Sequence, residues 1–81
     1  MPARVTIPER LLHLSGVQRV VETRAETVRD LMLELEQRCP GFRDALGRVA
    51  VAIDGQIFQD AFLEPIGPES EVFFLPRIEG G

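Results

Sequence analysis

Hydrophobic and polar positions along this chain fall into short blocks with two different periods. Ala3-Arg-Val-Thr-Ile7 alternates apolar and polar residues and is rich in β-branched types, which predicts a strand that Pro8 stops. Leu11, Leu12 and Leu14 ahead of Gly16 predict a helical turn over residues 9–15 with a glycine cap. Residues 17–23 read as a second strand, paired with the first as a hairpin. The strongest period is helical: Val28, Leu31, Met32, Leu35 and Cys39 fall at i, i+3, i+4, i+7 and i+11, one stripe of an α-helix. Thr27 is its natural N-cap, Asp30 suits the positive helix start, and Pro40-Gly41 ends it. Arg29, Asp30, Glu34, Glu36 and Gln37 lie off the stripe and are expected in solvent.

Beyond a short Phe42–Leu46 segment and Gly47, Val49-Ala-Val-Ala-Ile53 predicts a strand with large residues on one face and alanines on the other. Asp54-Gly55 fits a two-residue hairpin turn, and Gln56-Ile-Phe58 begins the return strand. Glu71-Val-Phe-Phe-Leu75 is the last strand, stopped by Pro76. Apolar on both faces and free of Pro and Gly, it belongs at the centre of a sheet, beside the first strand. The order β, β, α, β, β, β predicts an α+β protein of β-grasp arrangement, a mixed sheet of four to five strands covered by one main helix. Phe73 and Leu75 share the sheet face that the helix leaves open. They form a candidate docking surface, unless Arg4, Phe58 and Phe62 fold over it. On the docking reading, Leu75→Glu weakens partner binding without unfolding the domain.

Composition narrows the function. With 81 residues, the chain buries only about 60% of its unfolded surface and has little room for a catalytic cleft. A net charge of −4 argues against nucleic acid. No apolar run is long enough to span a bilayer. Met1–Arg10 carries no basic-then-apolar leader, and a lone Cys39 makes no internal disulfide, so a cytoplasmic location is expected. Cys39, on the helix stripe, reads as a buried hydrophobe. His13 has no companion ligands, so no metal site is expected. The acidic pairs Glu34/Glu36 and Glu69/Glu71 read as solubility and partner-steering charges. Every basic residue is Arg, so no side chain carries a primary amine.

The segment Pro76-Arg77-Ile78-Glu79-Gly80-Gly81 follows the most hydrophobic strand directly. The expected division is a domain over 1–76 and a flexible tail over 77–81. Two glycines without side chains can thread a slot too narrow for other residues. The reactive group is then the Gly81 carboxylate, a poor electrophile that requires conversion to an acyl-adenylate. No GxxxxGK[ST] or GxGxxG is present, so ATP is used by an activating partner and no cofactor is bound here.

Val49–Gly55, Leu63–Pro76, the helix and turn over Val28–Phe42, and the final Gly80-Gly81 together resemble the MoaD/ThiS family of ubiquitin-like sulfur carriers. Within that family the likeness to the small subunit of molybdopterin synthase is greatest. Thr6–Leu11 and Leu14-Ser-Gly16 look more like carriers that feed cysteine synthesis. The resemblance implies that a ubiquitin-activating-like adenylyltransferase adenylates Gly81 and that a persulfide donor converts it to a thiocarboxylate. The large subunit of molybdopterin synthase, or another sulfur-accepting enzyme, then takes the sulfur. The chain would be no enzyme on its own. Gly81 carries the sulfur and Gly80 gives access, while Arg77, Ile78 and Glu79 contact the partner with Pro8, Ile57, Phe73 and Leu75. Arg77 and Glu79 depart from the uncharged ending common in the family. Carriers for thiamine synthesis or tRNA thiolation, a ubiquitin-like protein modifier and a non-covalent interaction module are the alternatives.

Overall fold

The computed structural model describes residues 2–14 and 18–76. Thr27 starts the main helix, α1 (Val28–Arg38), as its sequence predicts: the side-chain oxygen accepts a hydrogen bond from the Asp30 amide at 3.2 Å. Val28, Leu31 and Leu35 are buried along one stripe, and Cys39 continues it as the C-cap. A second short helix, α2 (Phe42–Leu46), follows the left-handed Gly41 at φ 94°. Glu36 lies off the stripe but is not simply solvated. Its carboxylate accepts hydrogen bonds from the amides of Gly41 (2.8 Å) and Arg43 (3.0 Å), so α1 supplies the cap that five-residue α2 lacks.

The five strands are β1 (Ala3–Thr6), β2 (Val20–Thr23), β3 (Val49–Ile53), β4 (Gln56–Phe58) and β5 (Glu71–Pro76). They form one sheet in the order β2-β1-β5-β3-β4. β1 and β5 run parallel at the centre, and every other pair is antiparallel. This mixed sheet carrying α1 on one face is the β-grasp fold. The central place of β5 follows from its composition. Val72 and Phe74 point into the core, and only a strand flanked on both edges keeps so apolar a segment paired throughout.

Three expectations are corrected. β2 begins at Val20 rather than at residue 17: beyond the strand, the hairpin is held by the Ile7 amide donating to the Arg19 carbonyl at 2.8 Å. The expected turn over residues 9–15 is a single 3-10 turn, Glu9–Leu11. Its proposed glycine cap, Gly16, lies outside the described residues. The alanine face of β3, on whose exposure no expectation was set, is buried: Ala50 and Ala52 are 3% and 8% accessible. They sit opposite Leu75 and Phe73, whose larger side chains leave little of a methyl group open to water. Pro76, expected just past β5, is its last residue and pairs with Val49. The tail over 77–81 lies outside the described residues.

Candidate functional site

Strand registers place the open face residue by residue. Thr6 lies opposite Val20 on one side and Phe73 on the other; Ala52 lies opposite Phe73 and Ile57. Val20, Thr6, Phe73, Ala52 and Ile57 therefore form one row across all five strands, because paired residues share a face. Leu75, opposite Ala50, continues the apolar surface toward the end of β5. Ile57 is 62% exposed, Val20 45% and Phe73 41%, which makes this a solvent-facing apolar surface and not a second core. Arg4 and Glu71 pair at 3.8 Å beside it, both exposed.

The side chains that could have covered this face do not. Phe58 lies opposite Val51 and packs against the core. The Phe62 carbonyl accepts from the Arg29 amide at 2.9 Å, which ties that loop to α1 on the other side of the sheet. Arg4 is held at the rim by Glu71. Of the residues expected to contact a partner, Ile57, Phe73 and Leu75 share the face, and half-buried Pro8 lies just past β1. Arg77, Ile78, Glu79, Gly80 and Gly81 are outside the described residues. Val20 was not anticipated. The polar Glu22 two residues on marks the same outward parity, but a Val-Val pair alone does not say which valine faces in.

The end of β5 away from the tail is locked by a polar cluster. Asp54 and Gly55 have φ of 50° and 86°, the two positive values that a tight hairpin turn demands. The Asp54 carboxylate accepts from the Ser70 hydroxyl at 2.7 Å and the Glu71 amide at 2.9 Å, and Ser70 Oγ accepts from the Gly67 amide at 2.9 Å. The turn thus pins the loop that enters β5. The Glu71 amide first, and then the Ser70 hydroxyl, hold the Asp54 carboxyl below its ordinary value of 3.8. The amides of Gly41 and Arg43 lower Glu36 below its ordinary 4.5 in the same way. A carboxyl group lowered in the folded state contributes stability above its unfolded value and loses it as pH falls toward the folded one. The melting temperature should therefore hold on acidification to about pH 5 and decline below the ordinary carboxylate values. Asp54→Asn and Glu36→Gln should each flatten that decline, as read by thermal melts across pH; an unchanged slope in both would remove these two groups as its cause.

Among the described residues, no group of three or more His, Cys, Asp or Glu is placed to hold a metal ion. His13 is exposed, its Nδ1 2.8 Å from the Arg10 carbonyl oxygen. Cys39 is buried and packs in the core. Among the described residues, no helix is long and apolar enough to cross a membrane.

A β-grasp sheet with one uncovered apolar face and a central strand running out toward a diglycine defines the class as ubiquitin-like. The model of the ThiS family matches residues 5–81. The chain belongs to this family of small sulfur carriers. A search of curated protein sequences gives no match. Among solved structures, the fold is similar to a chain in the crystal structure of the Amycolatopsis orientalis BexX/CysO complex. The TM-score is 0.79 at 22% identity, covering 98% of this chain and 99% of that one. At that identity the likeness is one of fold.

Proposed function

We propose that this protein carries sulfur as a thiocarboxylate on Gly81, taken as the carboxyl terminus, for transfer to a sulfur-accepting enzyme. The observation that carries this reading is the path of β5. It runs between β1 and β3, pinned at its start by Asp54 and ending at Pro76, five residues before Gly81. A tail rooted in the most constrained strand of the sheet reaches a partner's channel from a fixed position. The uncovered face around Phe73 and Ile57 supplies the grip. In the proposed sequence the Gly81 carboxylate attacks the α-phosphorus of ATP on an activating adenylyltransferase, releasing pyrophosphate. A donor's persulfide sulfur then displaces AMP at the acyl carbon, and a thiol cleaves the resulting acyl disulfide to leave the thiocarboxylate. Arginine does not compete for the acyl carbon as a lysine amine would, and the chain has no lysine.

The proposed acceptor is the large subunit of molybdopterin synthase, on the overall likeness of the sequence to the small subunit. A second reading has a specific observation in its favour. Thr6–Leu11 resembles carriers serving cysteine synthesis, and the similar fold is found in a complex containing CysO. Sulfur transfer from the thiocarboxylated protein, offered separately to a molybdopterin synthase large subunit with its pterin precursor and to a cysteine-forming acceptor, decides between them. Molybdopterin formation alone supports the first reading, and cysteine formation alone replaces it.

A further inference from the structure

The charges of this acidic chain are sorted between its two ends, and the sorting follows the tail. Pro76, the last described residue, pairs with Val49, the neighbour of Arg48. Arg10 reaches the same end, donating to the carbonyls of Ala45 (2.8 Å) and Leu46 (2.7 Å) at the close of α2. Arg43 is on α2, and Arg19 lies at the connection end of the β1–β2 hairpin, its carbonyl bonded to the Ile7 amide. Arg38 borders a hollow with Ile7 and Gln18 at that end. All five of these arginines are exposed. The acids around them are Glu9, Asp44, Asp60 and Glu36, the last engaged with two α2 amides. At the opposite end, around the Asp54 turn and the start of α1, seven acids, Glu22, Glu26, Asp30, Asp54, Glu64, Glu69 and Glu71, outnumber three arginines, Arg4, Arg24 and Arg29. The acidic excess behind the net charge of −4 therefore sits away from the tail.

We infer that the arginines at the root of the tail form a collar that docks against an acidic rim on the activating adenylyltransferase. This inference rests on the carrier reading above. Five residues span at most about 18 Å fully extended, so an enzyme that takes Gly81 into its site must cover the end of the domain where Pro76 lies. At physiological salt, charges more than about 8 Å apart are largely screened, so the phosphates of ATP at the far end of the tail do not serve the collar. The complementary charge must be carboxylates at the channel mouth. Arginine suits that task, because its planar fork binds carboxylates in bidentate fashion. The sorting also orients the encounter: against an acidic rim, the carrier is repelled by its far end and attracted only by the end that bears the tail.

The test measures the association rate of the whole protein with its activating adenylyltransferase by stopped flow, at low and high salt. The double variant R38E/R43E is compared with R24E/R29E, which makes the same change of net charge elsewhere, and with the milder R38Q/R43Q. Arg10 is left intact because it caps α2. All variants are first checked for the wild-type melting transition; should R38E/R43E not fold, R38Q/R43Q carries the comparison. The collar predicts an association rate about tenfold lower for R38E/R43E at low salt, a smaller loss for R38Q/R43Q, near-normal rates for R24E/R29E, and convergence of all four at high salt. Equal slowing of the matched control, wild-type rates in the collar variants, or no association by the wild type would overturn it. Collar-dependent binding to a duplex oligonucleotide, with enzyme association unaffected, would also overturn it. Thiocarboxylate formation, read separately by intact mass at saturating enzyme, judges the carrier reading: salt-dependent association through the collar without sulfur loading leaves the collar standing and removes the carrier.

Discussion

Replacing Phe42 with alanine is expected to cost about 3–5 kcal/mol of stability, the range for deleting a buried aromatic side chain. Phe42 is 1% accessible and is among the largest fully buried side chains of the domain. Its ring meets that of Phe74 with centroids 6.3 Å apart at an interplanar angle of 60°, a tilted contact of the kind aromatic pairs favour. It joins α2 to the core face of β5, so the cavity opens where the short helix, α1 and the central strand meet. A chain of this length has roughly 4–12 kcal/mol of total stability, so the variant should be marginal or unfolded at room temperature. Urea denaturation checks this. A midpoint within experimental error of wild type would mean that α2 is a surface ornament and that the core closes without it.

Phe73→Glu is expected to do the opposite: little to stability, much to binding. Phe73 precedes Phe74 and is just as apolar, but it points to the open face and is 41% exposed. A glutamate there remains solvated in the free protein, which limits the change in stability to about 0.5–1 kcal/mol. In a complex it would sit in the middle of the row from Val20 to Ile57, where a buried aromatic anchor is worth at least about 2 kcal/mol, or about thirtyfold in Kd. Leu75→Glu should act in the same direction from the half-buried position next along that face. Calorimetric titration against the activating enzyme, alongside thermal melts, separates the two effects. A Phe73→Glu protein that melts far below wild type would place the ring in the fold; one that binds normally would place the partner on another face.

These two phenylalanines show how far the sequence could be read. Their opposite orientations were legible, because a strand with no Pro or Gly alternates strictly and Val72 and Phe74 had to face α1. The helix was legible from the spacing Val28, Leu31, Met32, Leu35, Cys39, and the hairpin from Asp54-Gly55, because both depend on neighbours in sequence. The polar ties that fix the ends of these elements were not. Ser70 binds Asp54 across 16 positions, and Arg10 reaches Ala45 across 35. Neither contact leaves a period in the sequence, and each involves residue types equally at home in solvent. Glu36 shows the same limit: its place off the helix stripe predicted exposure, whereas only the position of α2 shows that it caps a second helix. Burial of Ala50 and Ala52 depended on what lay opposite them, which register alone reveals. The face of the candidate site was therefore largely readable, Val20 excepted, while the charge sorting around the tail root required the topology.

On the carrier reading Gly81 is chemically altered while the rest of the domain is a handle. Incubating the protein with ATP, its activating adenylyltransferase and a persulfide donor, and recording the intact mass, tests this most directly. The mass should rise by the exchange of one oxygen for sulfur, confined by fragmentation to Gly81 and abolished when Gly81 is deleted or the tail is extended beyond it. An unchanged mass in the presence of an enzyme shown to adenylate another carrier, or sulfur found on Cys39 instead, would contradict it.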